Sequence, residues 1–231
     1  MPDQVTLLNS ILDLQKTGQL AQLIRTLKRL LRKNLGALER AEALRALGVT
    51  LTDKGDYAGG LRYLQQAQEA FQILEQPAQA AICLAEQALN YHRRGGDRNQ
   101  ATALDMLQAA GEILKHLEVG DTLLVRAALA KIAFYFAVIS SYTGEWEAAY
   151  HFYQEAYDLY QDSPWELAKV EDSLGKYYAT LGRPTLARLY YEKSLARKTE
   201  AGDQFGLCIT LSNLGLLQLE RGAYQEARDH F

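Results

Sequence analysis

Leu174-Gly175-Lys176-Tyr177-Tyr178-Ala179-Thr180-Leu181-Gly182-Arg183-Pro184-Thr185-Leu186-Ala187-Arg188-Leu189-Tyr190-Tyr191 reads as the end of one helix, a tight turn and the start of a second helix. Apolar residues recur at spacings of three and four on both sides of Gly182, the period of a helix and not of a strand. Gly182 supplies the left-handed backbone that closes a helix, and Pro184 suits the first turn of the next. Gly175 and Ala187 are small residues flanking that turn, and Tyr191 lies one helical turn beyond Ala187. Two antiparallel helices that each lack a side chain at one point can bring their axes close there, and a large residue fills the adjoining hole.

The same pattern recurs along the chain. Turn glycines fall at Gly18, Gly55, Gly95, Gly144, Gly182 and Gly222, at intervals of 37, 40, 49, 38 and 40 residues. Seven residues before each of the last five stands a small residue: Gly48, Ala88, Ala137, Gly175 and Gly215. A second small residue opens the following helix (Gly60, Ala103, Ala149, Ala187, Ala227), and Leu64, Leu107, Tyr153, Tyr191 or Phe231 follows four on. Glycine inside a helix costs roughly 1 kcal/mol relative to alanine, so three glycines in one slot mark a contact whose geometry outweighs propensity. The 49-residue interval predicts a longer turn near Gly96-Asp97-Arg98 and a lengthened helix between Gly111 and Asp121.

Helical hairpins are expected at 3–16 with 19–33, 37–53 with 57–75, 78–94 with 98–117, 122–143 with 146–161, 164–181 with 184–199, and 204–220 with 224 onward. On Leu174-Gly175, Tyr178, Gly182, Ala187 and Tyr191, and again on Leu214-Gly215, Gly222, Tyr224, Ala227 and Phe231, the chain resembles the tetratricopeptide repeat (TPR) superfamily. Gln218 stands where that pattern has an aromatic. The repeat here is close to 40 residues and the family's usual unit about 34, so the likeness is to the long-repeat members: kinesin light chains, Pins-type polarity adaptors and bacterial quorum-peptide receptors. The resemblance implies an all-α, right-handed α-solenoid of antiparallel hairpins, a TPR-like superhelix. Residues 1–36 are expected to form an N-terminal capping hairpin and 37–231 five TPR-like repeats, the last truncated. That truncation predicts either a piece of a longer protein or an open end that meets a partner.

Composition narrows the function. A net charge of −3 gives no whole-chain attraction to nucleic acid or anionic lipid, so no specific nucleic-acid partner is expected. Leu123 to Ile139 is long and apolar but is interrupted by Arg126 and Lys131 and reads as a buried helix; no transmembrane segment is expected. Cys83 and Cys208 read as two reduced core cysteines of a cytoplasmic protein. His92, His116, His151 and His230 are scattered without metal-ligand spacing, and Arg94-Gly95-Gly96-Asp97 lacks the ending of a phosphate loop. No metal, cofactor or catalytic residue is expected, and the chain reads as no enzyme.

The resemblance implies that the first helix of each hairpin lines a concave groove. The concave-groove candidates are Arg45, Lys131, Phe134, Tyr135, Tyr142, Lys169, Lys176 and Asn213. Fifteen of the 22 aromatic residues lie between Phe134 and Tyr191, placing an apolar anchor point in the middle hairpins. Chaperone-binding relatives hold a terminal carboxylate with Lys and Asn a turn apart on one groove helix, Asn on the next and two basic groups on the third. Here the triplets are Arg45 with Val49, then Glu86, then Lys131 with Tyr135, or Phe134 with Val138, then Ser173, then Ile209 with Asn213; neither builds that clamp, and Glu86 is expected to repel the anion. Long-repeat adaptors place Asn two residues before the small residue, a slot filled here by Ala46, Glu86, Tyr135, Ser173 and Asn213. Between Leu14 and Leu38 every charge is positive (Lys16, Arg25, Lys28, Arg29, Arg32, Lys33), beside an apolar stripe.

The function expected from these features is a protein–protein interaction scaffold or adaptor that binds a peptide or helix in the groove. One alternative is the ligand-sensing regulatory arm of a larger signalling or transcriptional protein. Another is anionic membrane or RNA binding through the basic first hairpin. The expected partner is a protein or peptide, with self-association through an uncapped C-terminal end as a further expectation.

Overall fold

A computed structural model describes residues 13–115, 117 and 123–220, and all regular elements among these residues are helices. Residues 13–16 are helical. Ten helices follow: α1 (Leu20–Leu30), α2 (Ala37–Asp53), α3 (Tyr57–Ile73), α4 (Pro77–Arg94), α5 (Asp97–Lys115), α6 (Leu123–Thr143), α7 (Trp146–Leu159), α8 (Pro164–Thr180), α9 (Pro184–Ala201) and α10 (Gln204–Glu220). The expected hairpin boundaries agree with these limits to within a few residues. Gly222, Ala227, Phe231, His116 and His230, with the last helix expected from 224 onward, lie outside the described residues.

Local chemistry accounts for the turns. Gly18, Gly55, Gly95, Gly144 and Gly182 all have positive φ, between 66° and 88°, the left-handed region that residues with a Cβ resist. Pro77, Pro164 and Pro184 each occupy the first turn of a helix, where the missing N–H has no intrahelical acceptor. Two helix starts share one cap: Asp56 Oδ1 accepts from Gly59 N (2.9 Å) and Asp203 Oδ1 from Gly206 N (2.8 Å). The longer turn expected near Gly96 is absent, since α4 and α5 are joined by Gly95 and Gly96 alone. Part of the extra length lies in the helices, 19 residues in α5 and 21 in α6.

The chain divides into two compact units, one of Leu20–Leu159 and the other joining the segment up to Gln19 to Tyr160 onward. In the larger unit, α2 pairs with α3, α4 with α5 and α6 with α7, and the first helices α4 and α6 also pack on each other. The small-residue slots lie at the hairpin contacts as expected. Ala88, Ala137, Ala103 and Ala149 are wholly buried, and so are the filling side chains Leu64 and Leu107. A Cβ on Gly48 would lie 2.7 Å from Leu64 Cγ and 3.0 Å from the Gly60 carbonyl oxygen. The main apolar cluster gathers Ala81, Ile82, Ala85, Leu107, Leu114, Ile132 and Ile139 from α4, α5 and α6.

In the smaller unit α8 pairs with α9, and α10 packs on both. A Cβ on Gly175 would lie 2.5 Å from the Tyr191 ring, so this hairpin closes as the sequence predicts. Lys16 Nζ donates to the Ala201 carbonyl (2.8 Å) and the Phe205 ring packs against Gly18, which tie residues 13–19 to α9 and α10. Residues 3–12 of the expected first hairpin lie outside the described residues.

Two expectations about single elements change or sharpen. Cys83 is buried, but Cys208 is exposed and not a core residue. It lies with Phe205, Ile209 and Ser212 on the side of α10 away from the buried Thr210, Leu214 and Leu217. Among the described residues α6 is the helix long and apolar enough to cross a membrane. Its Ala128, Ile132, Ala133, Ala137 and Ile139 are buried in a helix that packs on α4, α5 and α7, so one face of it belongs to the core.

Candidate functional site

In the larger unit, the first helices α2, α4 and α6 bring side chains together that are about 40 residues apart in sequence. Arg45 Nη1 on α2 and Lys131 Nζ on α6 each donate to the same oxygen, Oε1 of Glu86 on α4, at 2.9 Å. Arg45 also bonds Glu42 one turn back, at 3.0 Å. Glu86 is 4% exposed, whereas Arg45 and Lys131 retain 27% and 19%, so the two cations reach solvent and the carboxylate between them does not. Burial pushes the Glu86 carboxyl up, but the charges of Lys131 and Arg45 and their hydrogen bonds outweigh it and hold it below its ordinary value. The charge of Glu86 in turn raises Arg45 further above its already high range, against the effect of burial. Burial, reinforced by Glu86, pushes the neighbouring Cys83 thiol well up and keeps it unreactive.

Farther along the same helices, Arg93 of α4 pairs with Asp53 of α2, and His92 of α4 meets Tyr142 of α6 edge to face at a centroid distance of 5.2 Å. His92 Nδ1 also lies 2.7 Å from Gln100 Oε1. Asn90, which the sequence did not single out, is 2% exposed and donates to Thr52 Oγ1 (2.7 Å) and the Tyr57 carbonyl (3.0 Å). It ties α4 to the α2–α3 turn and belongs to the scaffold beneath the wall.

The aromatic candidates separate. Tyr142 is 67% exposed on the wall. Phe134 is half-buried and leans on Tyr153 of α7, inside its own hairpin, while Tyr135 packs against the cluster of α4, α5 and α6. The basic face of α1 is exposed at Arg25, Lys28 and Arg29, while its Leu23, Ile24 and Leu27 are buried in a helix that packs on α2.

In the smaller unit, Lys176 is exposed, and Lys169 lies 3.6 Å above the Trp165 ring and pairs with Glu166. Asn213 Nδ2 donates to Asp172 Oδ2 (3.2 Å), whose other oxygen accepts from Thr210 Oγ1 (2.5 Å). The amide expected to grip a peptide backbone is thus engaged within the unit. Lys198, 4% exposed, donates to Thr210 (2.6 Å); burial lowers its pKa against the opposing charges of Asp172 and Asp203. Arg197 Nε donates to both oxygens of Glu171, which is fully buried, and here burial prevails and raises the carboxyl. These pairs join α8, α9 and α10.

The carboxylate expected to repel an anion lies between two cations, and with Glu42 the cluster is neutral. No group of three or more His, Cys, Asp or Glu side chains able to hold a metal occurs among the described residues.

Residues 166–231 match the tetratricopeptide repeat family model. No curated protein matches the chain as a sequence. Among solved structures, the chain is similar to the Rap conjugation gene regulator of the plasmid pLS20 in complex with the Phr* peptide, with a TM-score of 0.79 at 15% identity over 97% of this chain and 60% of that one. It is similar to NprR in complex with its cognate peptide NprX (TM-score 0.63, 17% identity, 100% of this chain and 66% of that one). BtubC from P. vanneervenii gives 0.62 at 21% identity over 95% and 87% of the two chains. The protein is therefore all-α with a TPR-like fold, and over 166–231 it carries the TPR sequence pattern. This chain spans about 60% of the Rap regulator and 66% of NprR.

Proposed function

We propose that the chain is a non-enzymatic interaction module of the cytoplasm whose first-helix wall, α2, α4 and α6 of the larger unit, takes a peptide or a helix of a partner protein. The observation that carries this reading is the wall itself: Arg45, Lys131 and Tyr142 stay solvent-reachable while their neighbours Glu86 and Asn90 are buried and hydrogen-bonded, a rigid base under an accessible surface. Two of the similar structures, the Rap regulator and NprR, are complexes with peptides, which supports a peptide-sized occupant. Because the chain spans under two thirds of both, the second reading is a sensing arm within a larger protein. The basic face of α1 offers a third surface, for an anionic membrane or RNA.

Pull-down from the native cytosol with cross-linking mass spectrometry tests the wall. Cross-links are expected from Lys131 and the exposed side chains of α2, α4 and α6. Tyr142→Ala is expected to weaken capture about tenfold, the size of effect typical of an aromatic anchor, without changing the melting temperature. Phe134→Ala and Tyr135→Ala are expected to lower the melting temperature as well, since both rings pack inside the unit. Cross-links confined to α3, α5 and α7 would put the partner on the other layer and end this reading.

A further inference from the structure

Two cations on one carboxylate oxygen is the arrangement by which a protein seizes a carboxylate from outside. In this chain the carboxylate is its own. Arg45 and Lys131 come from different helices, 41 and 45 residues from Glu86, and both are partly open to solvent, while Glu86 beneath them is buried. Glu86 Oε2 is also buried and has no hydrogen-bond partner among the described residues, so this patch already holds one acceptor more than its donors satisfy. Glu42 occupies a further face of Arg45. A second, external carboxylate arriving here would meet two cations already neutralised, and its own desolvation would go uncompensated.

Resting on the reading of this wall as the binding surface, we propose that Glu86 is a built-in counter-ion seated where a partner's carboxylate would otherwise bind. It makes this stretch of the wall refuse acidic side chains and free C-termini. The partner presents a neutral, hydrogen-bond-accepting group over Arg45 and Lys131. Glu86 is thereby a specificity-determining residue: its removal converts the patch from one that rejects carboxylates into one that binds them.

Chemical rescue with acetate as the probe tests this without knowledge of the partner, so its outcome is independent of whether the wall binds a peptide. Glu86→Ala is expected to melt below the wild type and to recover by several degrees with acetate, saturably, while sodium chloride at the same ionic strength gives no such recovery. The wild type should gain nothing from acetate beyond the chloride effect. A second variant, Glu86→Gln, keeps the side-chain shape if the alanine variant does not fold. In it the Arg45 Nε–H resonance should shift saturably on acetate titration, with an apparent affinity at least about tenfold above the wild type. Equal responses of wild type and variants, or no acetate-specific response in any folded variant, would overturn the proposal.

Discussion

Glu86 and Glu171 are both buried carboxylates on the first helix of a hairpin, one in each unit, yet their protons are held in opposite senses. Glu86 meets two cations from two other helices, and their charges overcome the burial that would raise it. Glu171 is gripped by Arg197 through both oxygens, and burial wins. Burial alone therefore does not decide whether a carboxylate stays ionised; the number and placement of facing cations does. Both carboxylates are buried beneath cations that reach solvent, but Glu86 is held by the first helices on either side of its own, whereas the Glu171 pair, with Lys198, Thr210 and Asp172, fastens α8, α9 and α10 together.

The contrast is broken most severely by stripping Glu86 of both partners. Arg45→Met with Lys131→Met is expected to cost about 3–5 kcal/mol in urea unfolding, because a buried charge is left uncompensated. The Glu86 carboxyl should then shift upward from its ordinary value, the direction in which burial moves Glu171. A loss below that of Arg197→Met alone would mean that the two sites do not differ as described. Arg197→Met itself is expected to cost less, about 1–3 kcal/mol, since Glu171 is already displaced toward its neutral form and can take up a proton.

The closing slot gives a smaller comparison between the same two units. Gly175→Ala and Gly48→Ala should each lose about 1–2 kcal/mol, overpacking set against the better helix propensity of alanine. Adding Tyr191→Leu should restore most of the loss at Gly175, where the obstacle is a ring. Adding Leu64→Ala should not restore Gly48→Ala, because the Gly60 carbonyl there is backbone and cannot be trimmed. Thermal melts of the single and double variants distinguish the two cases.

The smallest effect is in pH. Glu86 has a folded pKa below its unfolded 4.5, so its contribution is present above pH 4.5 and is lost as pH falls through the lower folded value. Glu171 has a folded pKa above 4.5, so its contribution is complete below pH 4.5 and is lost as pH rises through the folded value. Glu86→Gln should therefore flatten the stability profile below pH 4.5, and Glu171→Gln should flatten it above. Identical profiles for the two variants would contradict the opposite shifts.

Much of the fold was legible because it depends on residues that act locally. Gly18, Gly55, Gly95, Gly144 and Gly182 were placed as turns from sequence, and each has the left-handed backbone. Pro77, Pro164 and Pro184 marked helix starts for equally local reasons. The turn expected to lengthen near Gly96 did not, because a repeat interval fixes how many residues are added but not whether a helix or a loop absorbs them. The candidate site was half legible. Arg45, Glu86 and Lys131 were all placed on the wall, but the pairing of Glu86 with both cations depends on contacts 41 and 45 residues away. Phe134 and Tyr135 could not be told from Tyr142 by spacing, since adjacent residues on an apolar helix differ only in which neighbour covers them. Asn90 carried no sequence signal, and the engagement of Asn213 by Asp172 depends on a contact 41 residues away.

The sequence by itself determined the helices, the turns between them and the small-for-small contact that closes each hairpin, because backbone strain and the helical period are properties of neighbouring residues. Only the tertiary structure decided which charges cancel, which rings are free and which amide is already engaged. Those outcomes follow from distances between helices about 40 residues apart, and the sign of an electrostatic effect in a buried place is fixed by what packs against it.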